Sequence, residues 1–400
     1  MSWENGIDVK NISTIICKSQ IFLGAGAMQK MDFIAEQLKA RGIDSVIAMT
    51  GKAAYEKTGA WAFVTKALDD HGISYVLYNR VQPNPETWQV DEAVKEAREA
   101  GAKAVIGIGG GSPIDAAKSA AVLLEYPDKT CQDLYEMKFA PERAVPIIAV
   151  NLTHGTGTEA NRFAVVTIPE KDYKPAIAYD CLYPLFSIDD PATMTGLPPN
   201  QTRYVSVDAV NHVVEAATTI FNNPFSISLG KEVISLVSKY LPAAIKNPSD
   251  ITARYFLTYA SLIAGVSFDN GLLHYTHALE HPLSAVKKDL SHGLGLALLL
   301  PAIVKEIYPE AGLILADMLA PIVPGLTGDV SEADKAWTGV RAWLDSVGIT
   351  EKMGDIGFTK EDVPRLVELT YETPGLDGLL NIAPTINNRE VVEKIYLESF

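Results

Sequence analysis

Cysteine is scarce in this sequence of 400 residues, which contains only Cys17, Cys131 and Cys181. The three lie far apart in the chain, and none of them belongs to a CxxC pair. A small secreted scaffold depends on paired cysteines, whereas a chain of this size in a reducing compartment does not. The cysteine content therefore excludes a disulfide framework and predicts a cytoplasmic protein.

Basic charge and long apolar runs are also in short supply. The 34 Lys and Arg residues face 49 Asp and Glu residues, which gives a formal net charge of −15. Nucleic acids and anionic membranes are bound by clustered basic surfaces, so neither is expected as a partner. The longest apolar run, Leu294–Val304, contains Pro301 and is far shorter than the roughly 20 residues of a membrane span. With 48% apolar residues, the chain is expected to fold into a soluble globular protein.

The first half of the sequence alternates short apolar segments with helical patterns, which is typical of βαβ units and a mostly parallel sheet. Thr14–Cys17 and Gln20–Leu23 are predicted to form a short hairpin at the start of this region. Further strands are predicted at Ser45–Met49, Ile73–Leu77, Ala104–Ile108 and Ala144–Val150.

The second half of the sequence, from about Leu197, shows long apolar segments with helical periodicity and almost no alternation. Helices are predicted at Arg203–Ile220, Ile227–Ile245, Ile251–Phe268, Leu272–Val286 and Gly293–Ile307. The segment from Asp189 to Pro199 carries three prolines and is the candidate linker. We therefore predict an α/β domain over residues 1–195 and an all-α domain over residues 196–400.

A glycine-rich turn follows the strand predicted at Ala104–Ile108. Gly109, Gly110 and Gly111 have no Cβ to keep a ligand away from the backbone amides, and Ser112 follows them. Because a helix is expected to begin here, with Pro113 at its first position, exposed amides and the helix dipole would favour a phosphate or pyrophosphate. The Rossmann and P-loop patterns are not satisfied, and a tight turn without a ligand is the alternative.

Histidine is the most informative residue type in the second half of the chain. Asp208 and His212 are four residues apart in one predicted helix, and His277 and His281 repeat that spacing in another, so each pair lies on one helix face. His292 follows where a further helix is predicted to begin. Imidazoles with one carboxylate suit Fe²⁺, Zn²⁺ or Mn²⁺, and without thiolates a catalytic site is favoured over a structural one. A pH-responsive cluster and a set of core polar groups are the alternatives.

These segments, in this order, resemble the iron-containing (group III) alcohol dehydrogenase family over most of the chain. The matching segments are Ile21–Gly26, the Gly109–Ser112 turn with Asp115 and Lys118, the Thr153–Glu159 loop, Leu197–Pro199, the Asp208/His212 pair, His277–Leu283, His292-Gly293 and Leu298–Pro301. The resemblance implies a Rossmann-like dinucleotide-binding domain followed by a helical catalytic domain, as in dehydroquinate synthase.

The same resemblance assigns roles to individual residues. It implies Asp208, His212, His277 and His292 as the four ligands of Fe²⁺ or Zn²⁺, and His281 as a nearby histidine that does not bind the metal and could relay a proton. His274 has no partner that spacing identifies and is interpreted as a core residue. The residues expected at the nucleotide are Gly51, Lys52, Gly109, Gly110, Gly111, Ser112, Asp115, Thr153, Thr156 and Lys174.

Three departures from the family pattern bear on function. Gly51-Lys52 stands where many members have an aspartate that repels a 2′-phosphate, so NADP(H) is expected to be favoured, with NAD(H) as the alternative. Glu280 replaces the small residue usual between the two histidines, and the spacing from His277 to His292 is about one residue longer than usual.

The resemblance implies reversible hydride transfer between NAD(P) and a small primary alcohol or diol, in which the alcohol is converted to its aldehyde. It also implies that the enzyme is a homodimer. A glycerol dehydrogenase-like enzyme, or a non-redox metalloenzyme on the same scaffold, is the alternative.

Overall fold

The computed structural model describes residues 3–6 and 14–400. The chain separates into two compact units. The sheet unit comprises Cys17–Leu197 and Pro248–Leu262, and the helical unit comprises Pro198–Asn247 and Ile263–Phe400 with the described residues before Cys17. The domain boundary between residues 195 and 196 stays a prediction.

The strands of the sheet unit are β1 Gln20–Leu23, β2 Ser45–Thr50, β3 Ser74–Tyr78, β4 Val105–Gly109, β5 Ile147–Asn151, β6 Phe163–Val165, β7 Ala176–Ala178 and β8 Phe186–Asp189. Six of them form a parallel sheet in the order β1-β8-β5-β4-β2-β3, and β6 and β7 form a separate antiparallel hairpin. The α/β fold class with a parallel sheet, predicted from the alternating pattern, is confirmed.

The hairpin predicted at the start of the chain is wrong. Gln20–Leu23 pairs in parallel with Phe186–Asp189, and within the described residues Thr14–Cys17 forms no strand. Lys18-Ser19 between the two segments lacks the Asn-Gly or Gly-containing chemistry that a two-residue hairpin turn requires. The β1 strand therefore obtains its hydrogen bonds from a distant strand.

Both faces of the six-stranded sheet are buried, as in sheets covered by helices on either side. Along β2, Val46 and Ala48 face one core while Ile47 and Met49 face the other. Because successive side chains point to opposite faces and both faces are buried, β2 needs apolar residues at consecutive positions and shows no alternation with polar ones.

The helices of the sheet unit cover the two faces. They are α1 Met31–Ala40, α2 Ala54–Lys57, α3 Ala60–Asp70, α4 Thr87–Glu99, α5 Gly111–Glu125 and α6 Cys131–Tyr135. Gly107 allows the closest approach between strand and helix, since a Cβ there would lie 2.9 Å from Ile114 Cα of α5.

The described residues after Leu197 form helices and no strand, which confirms the all-helical character predicted for the second half. The helices are α7 Pro199–Ala216, α8 Pro224–Lys246, α9 Ile251–Gly271, α10 Tyr275–Val286, α11 His292–Leu319, α12 Ala333–Ser346, α13 Val363–Glu372, α14 Leu376–Leu380 and α15 Arg389–Glu398. Among the described residues, no single helix has the length and hydropathy of a membrane span, and α9 with α10 passes that test only as a pair bent by 110°.

Candidate metal centre and nucleotide-binding turn

Helix α7 carries three acidic or imidazole side chains on one face of the helical unit. Asp208, His212 and Glu215 follow one another at intervals of four and three residues, so they lie along one stripe of the helix. All three are buried. Charged groups are rarely buried without a partner or a ligand, and this stripe is therefore the starting point of the site.

The Asp208 carboxylate is the point on which three histidines converge. Its Oδ1 atom lies 3.5 Å from Nε2 of His212, 3.9 Å from Nε2 of His277 and 4.0 Å from Nε2 of His292. One ligand atom each from Asp208, His277 and His292 lies within 4.8 Å of the other two, an arrangement that could hold a metal ion. The His212 ring stacks on that of His277, with centroids 4.7 Å apart.

Glu215 fixes the orientation of His277. Its Oε2 atom bonds Nδ1 of that histidine, and its Oε1 accepts hydrogen bonds from the backbone N–H groups of His274, Thr276 and His277. One carboxylate thus caps the N-terminus of α10 and also holds the ring of its third residue. Nε2 of His277 is left pointing towards Asp208, buried and without a hydrogen-bond partner among the described residues.

Glu280 makes the corresponding contact to His292. Its Oε2 atom bonds Nδ1 of that ring, and its side chain is fully buried in α10. His292 is the first residue of α11, where the sequence predicts a helix to begin. Gly293 lets this end of α11 approach α7, because a Cβ there would lie 2.1 Å from the carbonyl oxygen of Tyr204.

The remaining histidines of α10 differ in their surroundings. The His281 ring is buried, with its centroid 5.8 Å from that of His292 and 6.3 Å from that of His277. His274 precedes the helix, and its Nδ1 accepts from the N–H of Tyr275 while its Nε2 pairs with the Thr218 hydroxyl at 2.8 Å. Burial lowers the pKa of His274 to about 4. Both of its nitrogens are engaged, as in a neutral core histidine.

The electrostatics of the cluster call for a cation. Burial would lower the pKa of His277, but Glu215, Asp208 and Glu280 together hold it above its ordinary value. The surrounding carboxylates thus favour positive charge at this point, and a buried nitrogen of His277 has no hydrogen-bond partner in the described chain. A mixed nitrogen and oxygen donor set of this kind fits a divalent metal ion such as Fe²⁺ or Zn²⁺.

The glycine-rich turn lies in the sheet unit, between β4 and α5. Gly109 has φ +154° and packs against Pro113, where a Cβ would lie 2.5 Å from Cγ of that proline. Helix α5 begins at Gly111, so Pro113 is its third residue and not its first as predicted. Within the described residues no side chain caps this helix. Its first amides are therefore available to an anion.

The threonine loop predicted to touch the nucleotide lies beside this turn. A Cβ at Gly110 would be 2.9 Å from the Thr153 hydroxyl, and a Cβ at Gly111 would be 2.8 Å from Cγ2 of Thr156. The glycines therefore serve close packing between two loops as well as access to the backbone. Ser112 follows in the first turn of α5.

Asp115 is occupied by the protein. Its Oδ1 accepts from the Thr158 hydroxyl at 2.7 Å and its Oδ2 from the N–H of Val165 at 3.0 Å. Burial raises its pKa to about 6, against the opposing effect of Lys118 and, more weakly, of Lys174. Asp115 therefore tethers the loop after β5 to α5, and Lys174 is buried close enough to affect its charge.

Gly51 and Lys52 follow directly after β2. The strand register places Thr50 opposite Ile108 of β4, and Gly109 opposite Asn151 of β5. The carboxyl ends of β2, β4 and β5 thus meet at one edge of the sheet, which is where open α/β sheets bind ligands. The Lys52 side chain is exposed there.

Two groups of buried acids were given no role of their own in the sequence analysis. Glu215 lies seven residues after Asp208 on the same helix face, and that spacing could have revealed it. Glu159 and Asp189 lie buried at the edge just described, and burial raises the pKa of Asp189 to about 7 and that of Glu159 well above its ordinary value. Their proximity follows from the pairing of β5 with β8, which was not predicted.

Comparison with known proteins decides the family. The model of iron-containing alcohol dehydrogenase matches residues 18–191, and the C-terminal model of the Fe-containing alcohol dehydrogenase family matches residues 202–400. The chain belongs to the iron-containing alcohol dehydrogenase family. It is accordingly an NAD(P)-dependent oxidoreductase that acts on CH–OH groups with a bound metal.

Three relatives from this family each match 95% or more of the chain. Long-chain primary alcohol dehydrogenase AdhA of Thermoanaerobacter ethanolicus is 57% identical over 398 residues, 100% of both chains. The 1,3-propanediol dehydrogenase of Klebsiella pneumoniae is 28% identical over 95% of this chain and 96% of its own. The crystal structure of NADH-dependent butanol dehydrogenase A from Thermotoga maritima has a TM-score of 0.88 at 30% identity, covering 97% of this chain and 98% of that one.

Proposed function

We propose that this alcohol dehydrogenase interconverts long-chain primary alcohols and their aldehydes. The convergence of His212, His277 and His292 on Asp208 is the observation that carries the proposal, because a substrate oxygen needs a metal with an open coordination position. The substrate class is supported by the 57% identity to a long-chain primary alcohol dehydrogenase over the full length of both chains. The sequence led us to expect small primary alcohols and diols, and these are the substrates with which long-chain alcohols are to be compared.

Asp208, His212, His277 and His292 would hold the metal. When bound, it supplies a Lewis acid that stabilises negative charge on the substrate oxygen. The Glu215 carboxylate bonded to His277 keeps that ring in one tautomer, with Nε2 directed towards Asp208. His281, buried beside His292, accepts the alcohol proton at its ring and passes it towards solvent.

The nucleotide is bound at the carboxyl edge of the sheet. Backbone amides of Gly109, Gly110, Gly111 and Ser112 bind its pyrophosphate at the N-terminus of α5. Thr153 and Thr156 line the turn, Asp115 holds their loop in place, and Lys174 adds positive charge close to Asp115. Gly51 and exposed Lys52 accept a 2′-phosphate, so NADP(H) is favoured over NAD(H).

A panel of aldehydes from two to ten or so carbons, assayed with NADPH and with NADH, tests the substrate and cofactor together. We expect kcat/KM to rise with chain length and to be higher with NADPH, and Lys52→Ala to remove much of that nucleotide preference at low ionic strength. A flat or falling profile contradicts the long-chain proposal, and a clear preference for NADH in the parent protein contradicts the role of Lys52.

The proton relay proposed for His281 is tested by a variant. His281→Ala is expected to keep the metal and the nucleotide but to slow turnover, with a changed pH profile, and an unchanged rate across pH would contradict the relay.

The homodimer inferred from the family resemblance stays a prediction, which light scattering of the purified protein checks.

A further inference from the structure

We propose that Glu280 is a positioning residue for the metal ligand His292, in the same way that Glu215 positions His277. The two carboxylates make equivalent contacts, each from Oε2 to Nδ1 of one imidazole. Both carboxylates are fully buried. The inference rests on the proposed assignment of His292 as a metal ligand.

The tautomer of His292 follows from this contact. A neutral imidazole has one N–H group, and a carboxylate at Nδ1 draws that hydrogen to itself. Nε2 then carries the lone pair, and it is Nε2 that lies 4.0 Å from Asp208 Oδ1. A ring held in this tautomer and orientation presents the Nε2 lone pair to a divalent cation.

His292 needs such support more than His277 does. The His292 side chain is 25% exposed, against 4% for His277. It also occupies the first position of α11, after a Ser291 whose side chain caps none of the described amides. Packing alone therefore restrains this ring less, and the bond to Glu280 supplies an anchor from the neighbouring helix.

Space for the Glu280 carboxylate is provided by a glycine in α11. A Cβ at Gly295 would lie 2.8 Å from both Cγ and Oε1 of Glu280. A glycine inside a helix is less favourable than alanine, so this position is expected to have a packing reason. Gly295 and Glu280 therefore belong together, because the absence of a side chain at Gly295 leaves the space that the Glu280 carboxylate occupies.

Competition between the purified apoprotein and a chromophoric chelator for Co²⁺ measures the effect directly, with the visible spectrum of bound Co²⁺ as a second readout. We expect Glu280→Gln to weaken Co²⁺ binding by about 10-fold and Glu280→Ala by up to about 100-fold, because the amide keeps an acceptor for Nδ1–H and alanine does not. Gly295→Ala keeps the carboxylate but displaces it, and an intermediate loss is expected. Glu310→Gln removes an exposed carboxylate from α11, the helix of His292 and Gly295, and serves as the control, with parental affinity expected.

The outcomes separate this inference from the proposed metal site. If the parent protein binds Co²⁺ and His292→Ala does not, the ligand assignment holds. If Glu280→Gln and Gly295→Ala then match the parent in affinity and spectrum while their apoproteins remain folded, the positioning role is overturned. Two Co²⁺ ions per chain, one of them lost in Glu280→Ala, would also overturn it, since Glu280 would then be a ligand together with His281 and His292. A parent protein that binds no Co²⁺ contradicts the proposed function itself.

Discussion

Two clusters of buried charge, one in each unit, are resolved in opposite ways. In the sheet unit, the Lys118 ammonium donates to the carbonyl oxygens of Thr158, Asn161 and Phe163, and to the Thr158 hydroxyl, at 2.7–2.9 Å. Asp115 nearby has both oxygens bonded to protein groups. In the helical unit, three imidazoles lie 3.5–4.0 Å from one carboxylate oxygen.

This difference separates a structural cluster from a binding site. The groups around Lys118 satisfy one another within the protein, so the cluster holds the loop after β5 against α5. The Nε2 atoms of His212, His277 and His292 lie 3.5–4.0 Å from one oxygen of Asp208, an arrangement that fits a cation shared between them. Burial of charge is common to both, and the direction of the donor atoms is what distinguishes them.

Replacing Lys118 with methionine would break the self-contained cluster, and we expect the largest loss of stability from it. Lys118→Met keeps the side-chain length but leaves three carbonyl oxygens without this donor and removes the stronger of the two cations that act on Asp115. The expected cost is about 3–5 kcal/mol in the free energy of unfolding, measured by urea denaturation.

A surface lysine provides the control for that variant. Lys103 pairs with Asp44 in water-exposed positions, and Lys103→Met is expected to leave the unfolding midpoint in place. Folded Lys118→Met should still bind metal with parental affinity. A loss of metal affinity in that folded protein would contradict the separation of the two clusters.

The buried acids of the sheet unit give a pH-dependent prediction. Because burial raises the pKa of Asp189 to about 7, the folded state favours its protonated form and loses stability as pH rises from about 4 to 7. Asp189→Asn mimics the protonated form and keeps an acceptor for the amide of Asn151, which lies 2.8 Å from Oδ1. Its gain in unfolding free energy should grow from pH 5 to pH 8, reaching up to about 4 kcal/mol. A gain that is constant across this range would contradict the raised pKa.

A smaller effect is expected at the nucleotide-binding turn. Gly111→Ala pushes a methyl group against Thr156, at 2.8 Å from Cγ2, and is expected to move the amides that we propose bind pyrophosphate. Losing one such hydrogen bond to a charged group weakens NADPH binding by about 10-fold, measured by fluorescence titration. Gly196→Ala is the control, since nothing lies within 4 Å of a Cβ there. Equal affinities of the two variants would contradict the role of the turn.

The sheet was predictable where its strands follow one another with helices between them. Runs such as Ser45–Met49 have the uninterrupted apolar character of a strand buried on both faces, and the structure places β2 there. Phe186–Asp189 was missed because Ser187 and Asp189 interrupt the apolar run, and both are buried polar residues at the sheet. The pairing of Gln20–Leu23 with this strand was missed as well, because two strands that lie so far apart in the sequence leave no local sequence pattern of their pairing.

The metal cluster was predictable because its residues repeat at helical spacing. The pairs Asp208/His212 and His277/His281 needed only the rule that residues four apart share a face. The contacts of Glu215 and Glu280 were not predicted, because each joins a ligand on a different helix and depends on how three helices pack. Gly293 and Gly295 carry no chemistry of their own, and only the packing shows why they stand in α11.

Metal titration of chelator-treated protein tests the central claim, that the cluster around Asp208 holds the metal on which dehydrogenase activity depends. Activity of the apoprotein, followed as NAD(P)H oxidation with an aldehyde, should be at least about 10³-fold below that of the loaded protein, since a Lewis acid supplies several kcal/mol. It should return in proportion to added Fe²⁺ or Zn²⁺ and level off at one equivalent per chain, and His277→Ala should show no such return. Full activity in protein that contains less than about a tenth of an equivalent of metal would contradict the account.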